Sequence, residues 1–415
     1  MMNKIIPLQE HDNIPDVNKQ LNKFEGLNLV SWSKPFEDKA WGYYASYKIG
    51  AEWIDKNEAL IVTPKRGMEN IDFIGMFMTC FSSDLAVESF SDIYSINIDA
   101  PAIDAPALQS VVSPLIVFHF LGVVRRIKSL KKGYVHHSEN LKKVKGSISL
   151  QKNEKKNIAM KRYDHIYCDY DEYSIDIPEN RLLKKALLFS QRLLNGMSEN
   201  NVPYNSVKVV LAKCLSLFEN VSDEVEIKSV GQIRGHKLFK EYAEAIRLAK
   251  LVLRHFDFSI NKVNTTSNKV VPFALDMSLL YEHYIYGLLN DAYQGKITYQ
   301  YKGNTGRPDF LYYSIDYKAI LDTKYIPKYN NQDIDTYVVR QLGGYGRDLK
   351  ILNKLGCNVT EESQLPTIPC VIIYPDESKN GKYANPFMNI KITDKCKIVA
   401  GISQFYKIAI PLPTI

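Results

Sequence analysis

No C-x-x-C pair occurs anywhere in this 415-residue chain, and its six cysteines, Cys80, Cys168, Cys214, Cys357, Cys370 and Cys396, lie scattered. That spacing argues against a structural zinc site and against an iron–sulfur cluster, and it suits buried free thiols in a reducing compartment. Long apolar runs are missing as well. The longest, Pro114 to Val124 with His119 inside it, is too short to span a bilayer and reads as a buried helix. Residues Met1 to Asp16 lack the hydrophobic stretch of a secretory signal, so a cytoplasmic protein with no membrane association is expected. Nor is there a G-x-x-x-x-G-K-[ST] phosphate loop. Lys302-Gly303-Asn304-Thr305-Gly306-Arg307 lacks the spacing and reads as a hairpin turn. Internal repeats and low-complexity tracts are absent.

What is present is ordinary in bulk and uneven in detail. An apolar fraction of 45% and a charged fraction of 24% belong to a globular protein, and the length suggests two or three domains. The net charge of +7 is concentrated: from Arg125 to Arg162 thirteen lysines and arginines face only Glu139 and Glu154. Such a block either attracts a polyanion, with strong salt dependence, or forms a solvated basic face.

Along the chain, Trp41 to Ile49, Glu58 to Val62 and Ile71 to Ile74 have strand character. Pro101 to Ser113 reads as a loop before a helix at Leu115 to Ile127, and Gly133 to Leu150 as a connecting segment with a short strand at Gly146 to Leu150. From about Arg162 the periodicity becomes helical. Pro178 in a first turn before Leu182, Leu183, Ala186 and Leu187 marks a helix start, and Asn205 to Leu217 and Phe239 to Phe256 continue the pattern. The polar stretch Asn261 to Asn268 suits a linker. Beyond it the order is helix (Met277 to Tyr293), strands (Ile297 to Tyr301, Asp309 to Tyr313, Ala319 to Ile326), helix (Asp333 to Leu355) and a buried strand (Ile368 to Tyr374).

The C-terminal third carries the chemistry. Phosphodiester hydrolysis needs a positioned water, stabilisation of charge on phosphorus, and help for the leaving oxygen. Hard divalent ions held by clustered carboxylates supply these, and a lysine can orient or deprotonate the water. Asp322 and Lys324 are two apart on an expected strand and share a face, flanked there by Ile320 and Ile326. Asp309 can supply a second carboxylate from the neighbouring strand. The acid-x-Lys pattern alone is common here; Asp316/Lys318 is its nearest rival, with Asp316 in the hairpin turn. What distinguishes the set is its order, completed by Gln341 and Tyr345, four apart on one helical face.

Pro308-Asp309, Asp322-Thr323-Lys324 and Gln341-x-x-x-Tyr345 resemble the RecB-like branch of the PD-(D/E)xK nucleases. In that branch an acidic residue on an upstream helix often completes the site, and Glu282 stands at that place; read alone it is equally a solvated helix glutamate, and His283 is assigned no role. Tyr170-Asp171-Glu172-Tyr173-Ser174-Ile175-Asp176 followed by Pro178-Glu179-Asn180-Arg181-Leu182-Leu183 is similar to the central signature of the McrC family, nuclease subunits of McrBC and LlaJI-like modification-dependent restriction systems. The likeness runs from about Lys145 to Tyr345, roughly half the chain. It departs after Lys324, where many relatives carry a further basic residue and this chain reads Tyr325-Ile326-Pro327, with Lys328 as a substitute.

The resemblance implies Mg²⁺ held by Asp309, Asp322 and Glu282, Lys324 aligning the attacking water, and Gln341 and Tyr345 positioning the metal site or DNA backbone. It further implies double-stranded, modified DNA as substrate, a McrB-like AAA+ GTPase as partner whose hydrolysis is stimulated, and a role in anti-phage defence. Arg125, Arg126, Lys142, Lys143 and Lys145 become candidate contacts to DNA or to an acidic partner surface. Arg181 reads as structural. The alternatives are a non-catalytic activator of the AAA+ partner and a motor-independent repair nuclease. The expected fold is α+β and multidomain: a mixed partner-docking domain over 1–161, a helical middle region over 162–268, and an α/β restriction-endonuclease-like core over 269–415.

Overall fold

The computed structural model describes residues 4–14, 23–33, 41–80, 92–97, 99–197, 204–227, 230–231, 240–261, 269–330, 333–361, 364–376 and 385–414. The fold is mixed α/β and forms two compact units. One comprises Met1–Leu115, Ser198–Val207 and Thr266–Ile415; the other Ile116–Met197 and Lys208–Thr265. Compact units therefore do not follow the three consecutive segments expected along the chain. The N-terminal strands and the C-terminal third fall in one unit.

The reason is long-range strand pairing. A five-stranded sheet runs β1 (Lys4–Gln9), β5 (Glu58–Thr63), β4 (Lys48–Trp53), β12 (Phe273–Asp276), β6 (Tyr94–Ile96). β1 and β5 are parallel; β12 enters between β4 and β6 and is antiparallel to both. At Gly50 the φ is +151°, and a Cβ there would lie 2.0 Å from Phe273 O; only glycine admits the β12 backbone so closely. Two small pairs accompany this sheet, β2 (Val30–Ser33) with β3 (Gly42–Ala45), and β7 (Ile103–Asp104) with β11 (Lys269–Val270). The strand expected over Trp41 to Ile49 is thus broken at Ser46 and Tyr47. Ile71 to Ile74, expected as a strand, leads instead into helix α1 (Phe73–Cys80); a fully buried apolar run does not by itself distinguish the two.

β12 passes directly into α7 (Met277–Ala292), capped by Asp276, whose carboxylate accepts from Ser278 N and Leu279 N at 3.0 and 3.1 Å. α7 is buried on every side over most of its length, as a core helix must be. The second sheet of this unit follows, in the order β13 (Ile297–Tyr299), β14 (Phe310–Tyr313), β15 (Lys318–Thr323), β16 (Cys370–Asp376), β18 (Phe405–Pro411), β17 (Lys397–Ile398). β13 to β15 form an antiparallel meander; β15, β16 and β18 are parallel, which requires a crossover. Helices α8 (Thr336–Tyr345) and α9 (Leu349–Lys354) lie on the β15–β16 crossover. One helix was expected over Asp333 to Leu355; it is broken at Gly346, where Asp348 caps a new start. Val338, Leu342, Tyr345 and Ile351 pack on Leu311, Ile320, Cys370 and Ile372 to form the core.

The other unit holds α2 (Gln109–Arg125) from Ile116 onward, α4 (Pro178–Met197), α5 (Tyr204–Leu217) from Lys208, α6 (Lys240–Asn261), and the sheet β8 (Gly133–Leu141), β10 (Ile166–Ser174), β9 (Ser147–Ile148). α2 begins six residues before the expected start at Leu115, inside the expected loop, and carries Pro114. The expected connecting segment is largely strand: β8 pairs with β10 over nine residues, register Tyr170↔His137. A short helix α3 (Leu150–Asn153) and a π-helical turn, Glu154–Ile158, join β9 to β10. Asn180 is fully buried; its Nδ2 donates to Lys131 O and Ile175 O, and its Oδ1 accepts from the Tyr242 hydroxyl at 3.1 Å. Arg181 makes a bidentate pair with Asp176 at 2.9 and 2.7 Å, the structural role expected of it. The expected linker lies outside the described residues beyond Asn261, which ends α6; Phe239 is likewise outside them. Among the described residues no helix is long and apolar enough to cross a membrane.

Candidate active site

Asp309 immediately precedes β14, and the β14–β15 register, Phe310↔Leu321, continued by one residue places it opposite Asp322. Opposed residues share a sheet face, so Asp309, Asp322 and Lys324 share one. Thr323 fixes Asp309 from the next strand, donating its N–H and Oγ1 to the same carboxylate oxygen at 2.6 and 2.5 Å. Asp322 is 1% exposed. β15 ends at Thr323, short of the expected Ile326, but Lys324 N still donates to Ile373 O at 2.9 Å. Its Nζ lies 2.5 Å from Asp322 Oδ2. That buried oxygen has no well-directed hydrogen bond, so the contact is one of charge more than of direction. The rival Asp316 does sit in the β14–β15 turn, and Lys318 Nζ donates to Gly356 O.

Glu282 is not a solvated helix residue. It is buried on α7, and Gln300 Nε2 donates to its Oε1 at 2.7 Å. Gln300 adopts φ +43°, and its own N–H donates to Asp309 O at 2.8 Å. One residue in a left-handed conformation, a costly state for a non-glycine, therefore ties Glu282 to the backbone of Asp309. From α8, exposed Gln341 donates Nε2 to Tyr345 Oη at 2.9 Å, and that hydroxyl donates to Arg307 O at 3.2 Å. Gly306, φ +151°, makes room for the Tyr345 ring; a Cβ there would lie 2.9 Å from it. Asp348 holds the same loop, accepting from Asn304 N, Thr305 N and Thr305 Oγ1 at 2.5, 2.6 and 3.0 Å. Sequence reading missed Gln300, Thr323 and Asp348. Only Asp348 had a local signal, as an acidic cap after the glycines Gly343, Gly344 and Gly346. His283 donates Nδ1–H to Leu279 O at 2.8 Å, a packing histidine.

The electrostatics are unbalanced. Burial, then Asp322 and Glu282, push the Asp309 carboxyl well above the carboxylate range. Burial raises Asp322 although Lys324 opposes it, and burial raises Glu282 against the bonds from Gln300 and Tyr299, with Asp322 adding to the rise. Burial works against the Lys324 ammonium, but Asp322 and then Asp309 hold it above the ordinary lysine value. Three acidic groups thus influence one another around one ammonium, a local shortage of positive charge. Among the described residues no three His, Cys, Asp or Glu side chains gather tightly enough to hold a metal ion on their own. Mg²⁺ does not require that, since it commonly binds through one or two carboxylates and completes its shell with water and phosphate. Asp309 and Asp322, hard oxygen donors on adjacent strands, fit that demand.

The candidate basic contacts lie in the other unit. Arg126 pairs with Glu244 at 3.7 Å, Lys145 with Glu172 at 3.2 Å, and Arg125 is half-buried, while Lys142 and Lys143 are exposed.

The family model of the McrBC 5-methylcytosine restriction system component matches residues 105–345, more than half of the 415 residues. The chain belongs to that family. Two solved structures, both from Thermococcus gammatolerans, are similar to it. The first is the refined half-complex from the tetradecameric assembly of McrB AAA+ hexamers with bound McrC, at 15% identity and TM-score 0.36, covering 99% of this chain and 95% of that chain. The second is the cryo-EM structure of the McrBC complex, at 16% identity and TM-score 0.28, covering 85% and 100%. No curated protein matches.

Proposed function

We propose that this chain is the Mg²⁺-dependent DNA endonuclease subunit of a McrBC-like restriction system, a cytoplasmic anti-phage enzyme working with an AAA+ GTPase partner. The reading rests on one observation, the convergence of Asp309, Asp322 and Lys324 on one face of the β14–β15 pair. The order of these residues suits a PD-(D/E)xK core over 269–415. Family membership supports the AAA+ assembly, and we assign partner docking to residues before about 161.

When bound, Mg²⁺ would supply charge neutralisation at the scissile phosphate and acidify a bound water. The chain's own residues do the rest. Asp309 and Asp322 would hold the cation through their carboxylate oxygens, and Glu282 would add negative charge from α7. Lys324, held charged, is a poor base at neutral pH; it donates to the attacking water and the phosphate oxygens and so orients both. Gln341, exposed beside the site, contacts the DNA backbone, and Tyr345 fixes the loop that delivers Asp309.

Cleavage of 5-methylcytosine-containing and unmethylated plasmid, with partner, Mg²⁺ and GTP or ATP, tests the reading. Asp309→Ala and Asp322→Ala should abolish cleavage while retaining partner binding. Full cleavage by Lys324→Ala in Mg²⁺ removes the assignment. A partner GTPase rate raised by Asp322→Ala, with no cleavage by the wild type, would make the chain an adaptor; wild-type cleavage without any NTPase would make it a motor-independent nuclease.

A further inference from the structure

The face of the β8–β10 pair that carries Asn140 and Tyr167 forms the floor of a cleft of about 640 Å³. Lys155 and Lys156 of the π-helical turn Glu154–Ile158, an uncommon form frequent at functional sites, line one side of the cleft. The turn is fixed, not loose. Asn157, 1% exposed, exchanges two hydrogen bonds with Asn140, at 2.9 and 2.7 Å, and donates to Asn153 Oδ1, which also accepts from Tyr167 N at 3.0 Å.

This scaffold presents Lys155, Lys156 and Arg162 to the cleft. Neighbouring cations are already engaged: Lys145 pairs with Glu172, and Lys152 reaches Ser138 Oγ at 2.6 Å and Asp169 at 3.7 Å. Lys155, Lys156 and Arg162 have no carboxylate within ion-pair distance among the described residues. Among the described residues, the one acid lining the cleft, Glu139, is engaged elsewhere: it accepts from the Tyr170 hydroxyl at 3.1 Å and faces His137 at 3.5 Å. Within the cleft the Lys156 ammonium stands 5.1 Å over the Tyr167 ring, whose hydroxyl donates to Ser138 O.

We propose that this cleft binds the phosphodiester backbone of nucleic acid. Three cations without an ion-pair partner supply the electrostatic attraction, and the Tyr167 ring offers a base an aromatic face. The combination of basic groove and aromatic platform is one that accepts a single strand without sequence preference. The inference deepens the reading of the chain as a protein acting on DNA, but it does not depend on hydrolysis.

The test is fluorescence anisotropy of labelled single-stranded and duplex oligonucleotides with the full chain, in EDTA so that nothing is cut, across a KCl series. Replacing Lys155, Lys156 and Arg162 together by Ala should weaken binding about tenfold or more at low salt and flatten the log Kd against log[salt] slope by about 2 to 3. Tyr167→Phe should leave binding intact, while Tyr167→Ala should weaken the single strand more than the duplex. All these changes are at exposed or half-buried positions, and circular dichroism verifies folding. An unchanged slope in the triple variant overturns the proposal. So does unchanged DNA binding combined with weakened association to the AAA+ partner, which would assign the surface to protein. A flattened slope alongside a wild type that never cleaves would leave this site standing and remove the nuclease reading instead.

Discussion

β15 and β10 are both strands rich in ionisable residues, and they treat them in opposite ways. β15 is buried at five of six positions, β10 at one of nine. In the first, burial raises Asp322, as it does Asp309 across from it immediately before β14. In the second, hydrogen bonding from Ser138 leads in holding Asp169 below its ordinary value. Desolvation penalises charge where water is excluded, whereas directed donors favour it where water remains. Charge in β10 is therefore cheap and adjustable by salt, while charge in β15 persists against the stability of the fold. A protein keeps such a cluster where function requires it.

The largest effects should appear where that conflict is sharpest. Lys324→Ala is expected to reduce cleavage at least about 10²- to 10³-fold, measured as initial plasmid-cleavage rate with saturating partner. Asp309→Asn should also abolish cleavage, yet in the absence of divalent cation its melting temperature should stay level or rise, because one of three mutually repelling acids is gone. A clear fall in melting temperature would show that the cluster is a structural network and would break the contrast with β10.

Next comes a buried polar network that is satisfied. Asn180→Ala removes the partner of Lys131 O, Ile175 O and the Tyr242 hydroxyl together, which should cost about 2–3 kcal/mol, read from the urea midpoint at constant m-value. Cleavage per folded molecule should not change. Smaller again is Gln300→Ala. Loss of its bond to Glu282 should raise the Mg²⁺ concentration for half-maximal cleavage by about tenfold, with the rate at saturating Mg²⁺ largely restored. A rate that stays low at all Mg²⁺ concentrations would mean that Glu282 does not act through the metal.

The order of these effects follows what could be read without coordinates. Asp309, Asp322 and Lys324 were legible because strand parity and one hairpin bring them together within sixteen residues, and Pro178 announced α4 by a local rule. Gln300 was not, since nothing in its neighbours requires a left-handed glutamine. β12 was not, since its partners β4 and β6 lie far earlier in the chain and long-range pairing leaves no local periodicity. β8 and β10 escaped because neither face of that sheet is fully buried, so polar residues interrupt the alternation that marks a strand with one buried face. Ile71 to Ile74 is too short for its apolar residues to tell a strand from the start of α1, and the break between α8 and α9, signalled only by Gly343, Gly344, Gly346 and Asp348, falls between apolar runs that continue on either side.

The smallest expected effect lies with Asp176. The Arg181 guanidinium, bidentate on its carboxylate, holds it below the ordinary value in spite of partial burial, helped by a hydrogen bond from Ser222 N at 2.9 Å. A depressed carboxyl contributes stability that is complete above its unfolded value near pH 4 and lost as pH falls through the lower folded value. The pair is about 30% exposed on both sides, so solvent screens it and about 1 kcal/mol is the most to expect. Asp176→Asn should therefore lower the urea midpoint slightly at pH 7, and the difference from wild type should shrink as pH falls from about 4 toward 2. Raising KCl should diminish the difference without erasing it, because the Ser222 N–H bond is local and geometric. If the variant instead lost nothing at pH 7, Arg181 would be no more than another solvated cation, and the second unit would hold its charges entirely at the surface.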